Sequence, residues 1–157
     1  MKKERKIILE NIVFRRATER DISQILELQR RVFSGEQNIP AGEIPAFLAK
    51  KPQCWCAVCG GQIVGTAAAW KEGGSVHWGR FATDPDYRGR HIGRRIAQLS
   101  FDELFTQGID EIYMEAREIT AGMVCRMGGR IIGEPQPFYV GTVTPVTLRK
   151  EDYHPCE

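Results

Sequence analysis

Arg88, Arg90, Arg94 and Arg95 gather with His91 around two glycines, Gly89 and Gly93, in the stretch DPDYRGRHIGRRI. Guanidinium groups make strong charge-assisted hydrogen bonds to phosphate oxygens. Glycines let a backbone curl until successive amides converge on one anion. The residues that follow read as a helix, whose first turn presents unpaired N–H groups and the positive end of its dipole. The chemistry on offer is the holding of a polyanion, a pyrophosphate, at residues 88–94. Neither G-x-x-x-x-G-K-[ST] nor G-x-G-x-x-G occurs, which sets aside the P-loop and the dinucleotide fingerprint. The competing reading is a solvated basic helix start, since charge runs are common on surfaces.

The elements around this turn have to present it. SVHWGRFAT, residues 75–83, reads as a strand interrupted by Gly79, where a bulge or a close backbone approach is expected. Asp84-Pro85-Asp86 closes that strand. Residues 93–107 read as a long helix with Ile96, Ala97, Phe101, Leu104 and Phe105 on its apolar face, ended by Gly108. Upstream, residues 12–16 read as a short strand and ATERDISQILELQRRVF as a helix opened by a Thr18–Asp21 capping box. SGEQNIP reads as a loop and residues 42–50 as a second helix. Gly60-Gly61 and Gly73-Gly74 mark hairpin turns between three strands. EIYMEA reads as a strand and ITAGMVCRM as a short helix broken by Gly128-Gly129. Two closing strands follow at residues 130–132 and 142–149. The pattern predicts a mixed α/β sheet in a single domain over residues 1–157.

Lys and Arg total 22 against 20 acidic residues, a net charge of +2. That balance argues against a nucleic-acid coat and for a local anion site. The opening MKKERKIILEN has an apolar run of only three residues, too short for a leader, and no stretch reaches the length of a membrane span. A cytoplasmic protein with no membrane and no nucleic-acid partner is the expectation. Cys54, Cys56, Cys59, Cys125 and Cys156 are odd in number, which disfavours a disulfide framework. Cys56 and Cys59 have C-x-x-C spacing but no second pair to complete a zinc site, so no metal is expected.

The stretch FATDPDYRGRHIGRRIAQ resembles the acyl-CoA-binding motif of the GNAT superfamily of N-acyltransferases. Arg88, Gly89, Ile92 and Gly93 fit that motif, and His91 stands where its first glycine usually lies. IVFRRATERDISQILEL is similar to the family's opening strand and helix. AGMVCRMGGRIIG is similar to a later family stretch in which Arg126, Gly128 and Gly133 fit, while Val124 takes the tyrosine position and Gly129 the phenylalanine position. VFSGEQNIP resembles a stretch of a subgroup related to acyl-homoserine-lactone synthases.

The resemblance implies an α+β fold: a twisted, mainly antiparallel sheet of about six or seven strands split into a V, with about four helices. It implies acetyl-CoA as cosubstrate, its pantetheine arm along the backbone of Phe81, Ala82 and Thr83. Its phosphates would lie at Arg88, Gly89, Arg90, His91, Ile92, Gly93 and Arg94. The activity implied is acetyl transfer from acetyl-CoA to a primary amine of a small molecule or peptide, directly and without an acetyl-enzyme. Such an amine, of pKa ~10.4, has to lose its proton near neutral pH. Glu36 and Glu115 are the candidate bases; His77 is read as structural. With Val124 at the tyrosine position, Cys125, the more distant Tyr113 and Tyr139, or a water are left as the donor to the thiolate. The acceptor groove is expected between residues 34–45 and 133–141. A non-catalytic acyl-CoA-binding or sensor domain is the alternative, and a homodimer is left open.

Overall fold

A computed structural model of the chain describes residues 11–156. The opening stretch weighed above as a leader, residues 1–10, lies outside them. Strand β1 (Val13–Arg16) turns into helix α1 (Ile22–Gln29), which continues through a wider π-helical turn, Arg30–Ser34, and a last turn, Gly35–Gln37. Strands β2 (Gln53–Cys59), β3 (Gln62–Glu72) and β4 (Ser75–Thr83) form a meander joined at Gly60-Gly61 and Gly73-Gly74. All four of these glycines have positive φ, as tight hairpins with matched twist require. Helix α2 (Ile92–Thr106), β5 (Glu111–Ala116) and α3 (Glu118–Arg126) follow. The chain ends in two short strands, β6 (Arg130–Ile131) and β7 (Gln136–Pro137), and the longer β8 (Thr142–Arg149).

The sheet order is β1-β2-β3-β4-β5-β8-β6, with β7 also on β8. Every pairing is antiparallel except β4 with β5. That parallel pairing spans only Val76↔Ile112 and His77↔Tyr113, so the two strands diverge beyond it. The V expected from the family resemblance is this divergence.

Strand alternation sorts the core into two layers. Trp55, Ala57, Cys59 and Val64 face α2 and α3, where Ile96, Phe101, Leu104 and Val124 are buried. Cys54, Cys56, Ile63 and Ala68 face α1 and the segment after it, against Ile25, Leu28, Phe33 and Phe47. Cys56 and Cys59 therefore lie on opposite faces of the sheet, which prevents the C-x-x-C pair from converging on one ligand. Burial pushes the thiols of Cys54 and Cys56 up to about 11.

Two sequence expectations are corrected. Residues 42–50 do not form an α-helix but two short 3-10 runs, Ala41–Glu43 and Pro45–Lys50. Pro45 has no N–H to donate into an α-helical ladder, and the bonds formed are tighter: Glu43 N–H to Pro40 O at 3.0 Å and Lys51 N–H to Leu48 O at 3.1 Å. SGEQNIP is not wholly a loop, because Gly35–Gln37 stays helical until Asn38 adopts a left-handed conformation, φ 56°. Glu36 is thereby on a helical turn rather than a flexible connection.

The start of α1 is fixed by Asp21, which accepts from the Thr18 N–H at 2.7 Å and from both terminal nitrogens of Arg15 at 2.7 and 2.9 Å. The Arg15 guanidinium holds the Asp21 carboxyl far below the usual carboxylate range. A depressed folded-state pKa contributes stability that is complete above the unfolded value, near 4, and is lost as pH falls below it. Asp21→Asn is expected to cost about 2 kcal/mol in urea denaturation at pH 7. The gap between variant and parent should close progressively below about pH 4.

Candidate active site

The basic turn is built from the end of β4. Asp84 is buried; its carboxylate accepts from the Asp86 N–H at 2.9 Å and from Arg31 at 3.1 Å, which ties the turn to the π-helical segment of α1. Gly89 has φ 79° and His91 φ 62°. The first helical bond of α2 runs from Arg95 N–H to His91 O, at 3.1 Å. The amides of Ile92, Gly93 and Arg94 thus open the helix without intrahelical acceptors, as a helix start dictates. Arg94 Nε is buried and has no hydrogen-bond partner among the described residues. Free amides, a helix dipole and an orphaned guanidinium nitrogen together fit a phosphate group.

Two glycines let this turn lie close to the sheet. A Cβ on Gly93 would come within 2.8 Å of the Phe81 ring and 3.2 Å of Thr83 Oγ1. A Cβ on Gly65 would come within 2.5 Å of Ile96. The cradle thus sits against Phe81, Ala82 and Thr83, of which Ala82 is buried and the other two are half-buried.

The arginines divide by role. Arg88 donates from Nε to Thr83 O at 3.2 Å and makes a two-pronged ion pair with Glu36, at 2.8 and 3.1 Å. Arg95, expected among the anion donors, lies instead over the Phe14 ring at 4.0 Å from its centroid. Cation–π attraction on β1 takes it out of the cradle. Arg90 and Arg94 have no ion-pair partner among the described residues.

Where β4 and β5 diverge, a cleft of about 370 Å³ opens between them. Gly79, Arg80 and Phe81 line it from β4, and Met114, Glu115 and Ala116 from β5. Gln37, Ile39 and Glu43 reach it from the segment after α1, and Phe138 from the loop before β8. The bulge expected at Gly79 falls one residue later: Ala68 pairs with Gly79 and Thr66 with Ala82, leaving Arg80 and Phe81 opposite Ala67. Arg80 carries the strain at φ 49° and donates to the carbonyls of Ile44 and Glu43 at 3.0 and 3.1 Å.

The predicted proton-transfer residues are not brought together. Among the described residues, Glu115 lines the cleft and accepts a long hydrogen bond, 3.4 Å, from the Tyr113 hydroxyl. Glu36 is engaged with Arg88 at the cradle. Cys125 is half-buried on α3 beside fully buried Val124, and the α3 residue that lines the cleft is Thr120. His77 lies in the cleft wall, stacked near Trp70 and edge-on to Tyr113. Sequence reasoning missed Arg80 and Arg117, both half-buried in the cleft wall. Nothing local in GRFAT or EAREIT signals where those side chains turn.

A family model for the acetyltransferase (GNAT) family matches residues 20–124. The chain belongs to the GNAT family. It is accordingly an acyl-CoA-dependent acyltransferase, of a fold that binds acetyl-CoA or CoA. Among solved structures, Escherichia coli ElaA superposes with a TM-score of 0.75 at 17% identity, over 87% of this chain and 97% of that one. An acyl-CoA N-acyltransferase from Pseudomonas aeruginosa gives 0.74 at 17% identity, over 87% and 97%. PaiA N-acetyltransferase from Thermoplasma acidophilum, solved in complex with coenzyme A, gives 0.67 at 12% identity, over 88% and 99%. At such identities the likeness is one of fold. No curated protein matches. Among the described residues no cluster of three or more metal-ligating side chains occurs, and no helix is long and apolar enough to cross a membrane.

The left-handed His91 explains why a GNAT turn usually has glycine there. A Cβ in that conformation costs roughly 1 kcal/mol or more. The exposed imidazole makes no hydrogen bond that offsets this cost among the described residues. His91→Gly is expected to raise stability by about 1 kcal/mol in urea denaturation. A loss of stability would mean that the imidazole contributes a native contact.

Proposed function

We propose that this chain is an N-acetyltransferase that passes the acetyl group of acetyl-CoA directly to a primary amine. The observation that carries the reading is the divergence of β4 from β5 beside the start of α2. It leaves one edge of Phe81, Ala82 and Thr83 without a neighbouring strand, next to the cradle at residues 88–94. An extended amide-bearing arm can add to such an edge as a strand does. Its phosphates then meet the amides of Ile92, Gly93 and Arg94 and the side chains of Arg90 and Arg94. Gly89 and His91 supply the curl, and Arg88 braces it through Thr83 O and Glu36.

In this reading Glu115 is the base. It lines the cleft, has no cationic partner among the described residues, and lies on the strand facing the thioester end of the arm. The attacking amine loses its proton to Glu115 directly or through one water. Glu36 keeps its role at the cradle as the partner of Arg88. The departing thiolate takes its proton from water, because Val124 and Cys125 do not line the cleft. Holding amine and thioester in one groove supplies the rate through proximity. A binding or sensor domain without turnover is the alternative favoured by Val124 at the tyrosine position, and any acetylated amine product excludes it.

Glu115→Gln should lower the acetylation rate by roughly 10²–10⁴ near neutral pH, with partial recovery at high pH where the amine is already neutral. Glu36→Gln should keep the rate within a few-fold. Calorimetry with CoA separates the arginines. Arg94→Ala should weaken affinity by about tenfold or more, whereas Arg95→Ala should leave it within about twofold, since that side chain is engaged over Phe14.

A further inference from the structure

The cleft wall is unusual in how its charges are matched. Arg80 and Arg117 both line it, and neither has a carboxylate within ion-pair distance among the described residues. Arg80 is held by two neutral backbone carbonyls and packs on Phe47 at 4.8 Å. Arg117 donates to the Val140 carbonyl and to Gln37 Oε1, the latter at 2.9 Å, and packs against Phe138 at 5.1 Å. Burial lowers the pKa of both guanidiniums, opposed at Arg80 in part by the charge of Glu43 and at Arg117 by no carboxylate. A cation taken partly out of water with only neutral acceptors remains under-compensated. On the other side of the balance, Glu43 accepts from the Tyr139 hydroxyl at 2.6 Å and Glu115 from Tyr113, and neither has a cation within ion-pair distance among the described residues. The remaining carboxylate in the cleft wall, Glu72, is already paired with Lys50 at 2.6 Å.

Two cations and two anions in one cleft, none of them in an ion pair among the described residues, complement a ligand that has both charges. We propose that the acceptor is an amine that also bears a carboxylate, of the amino-acid class. Arg117, with Arg80, receives the carboxylate, and Glu115 faces the ammonium before it is deprotonated. Arg117 retains its Nε–H for this purpose, since its hydrogen bonds to Val140 and Gln37 use the two terminal nitrogens. The inference rests on the amine-acetylation reading and narrows its acceptor.

The test compares matched pairs: L-amino acids of several side-chain classes against the corresponding decarboxylated amines and α-amides, with acetyl-CoA at saturation. The carboxylate member should show kcat/KM higher by about tenfold or more. Arg117→Gln should abolish that preference by raising KM for the carboxylate member alone. Equal rates within pairs would overturn the inference while leaving amine acetylation intact. Binding of N-acetyl-amino acids and of N-acetyl-amines to the CoA-loaded protein, followed by calorimetry, reads the same preference without turnover. Tighter binding of the carboxylate-bearing product in a protein that acetylates no amine would keep the inference and sink the enzymatic reading. Binding of neither product would overturn the inference.

Discussion

The first turn of α2 lies so close to the sheet that one methyl group on Gly65 or Gly93 would collide with Ile96 or Phe81. The candidate site depends on that closeness. It sets the free amides of Ile92, Gly93 and Arg94 beside the edge of β4, so that one extended ligand can touch both. The packing behind it is firm. Trp78 on β4 donates from its indole to Ser100 on α2 at 2.9 Å, and Ser100 donates in turn to the Ala97 carbonyl. Overpacking such an interface costs on the order of 1–3 kcal/mol. The cradle therefore inherits the rigidity of the core rather than the mobility of a loop.

A second constraint opens the molecule at the same place. Once β4 and β5 part after two paired positions, their facing edges need something else between them. The β4 bulge turns Arg80 toward the segment after α1, and Arg117, just past β5, reaches Gln37 and the Val140 carbonyl. Tyr139 meets Glu43 across the same gap. These long-range polar contacts define the cleft from both sides without filling it. Because the anchoring groups are guanidiniums on neutral carbonyls, the cleft keeps an electrostatic demand that backbone acceptors alone do not satisfy.

Local chemistry in the sequence was enough for much of this. The paired glycines at 60–61 and 73–74 announced the hairpins, since few other residues accept consecutive positive φ. The apolar face of α2 and the Gly108 stop were periodic and punctuated. The turn that opens α2 could be read because its parts are neighbours in the chain. What stayed hidden were the pairings across distance. Arg88 with Glu36 spans 52 residues, and Arg117 with Gln37 spans 80. Arg95 looked like one more anion donor until β1 brought Phe14 beneath it. Residues 42–50 read as a helix because the spacing of Ile44, Phe47 and Leu48 suits either an α-helix or 3-10 turns, and the missing Pro45 N–H favours the latter.

The sheet also sorts the thiols by how they can be reached. Cys54, Cys56 and Cys59 are buried within β2, on both faces of the central sheet, while Cys125 and Cys156 are only half-buried. An alkylating reagent meets the latter pair in the native state but reaches the strand cysteines only when the sheet itself separates. The chain thus has a built-in clock: the slow labelling phase counts global opening events, and the fast one counts surface encounters. The same burial protects the three strand sulfurs from peroxide for as long as the fold persists.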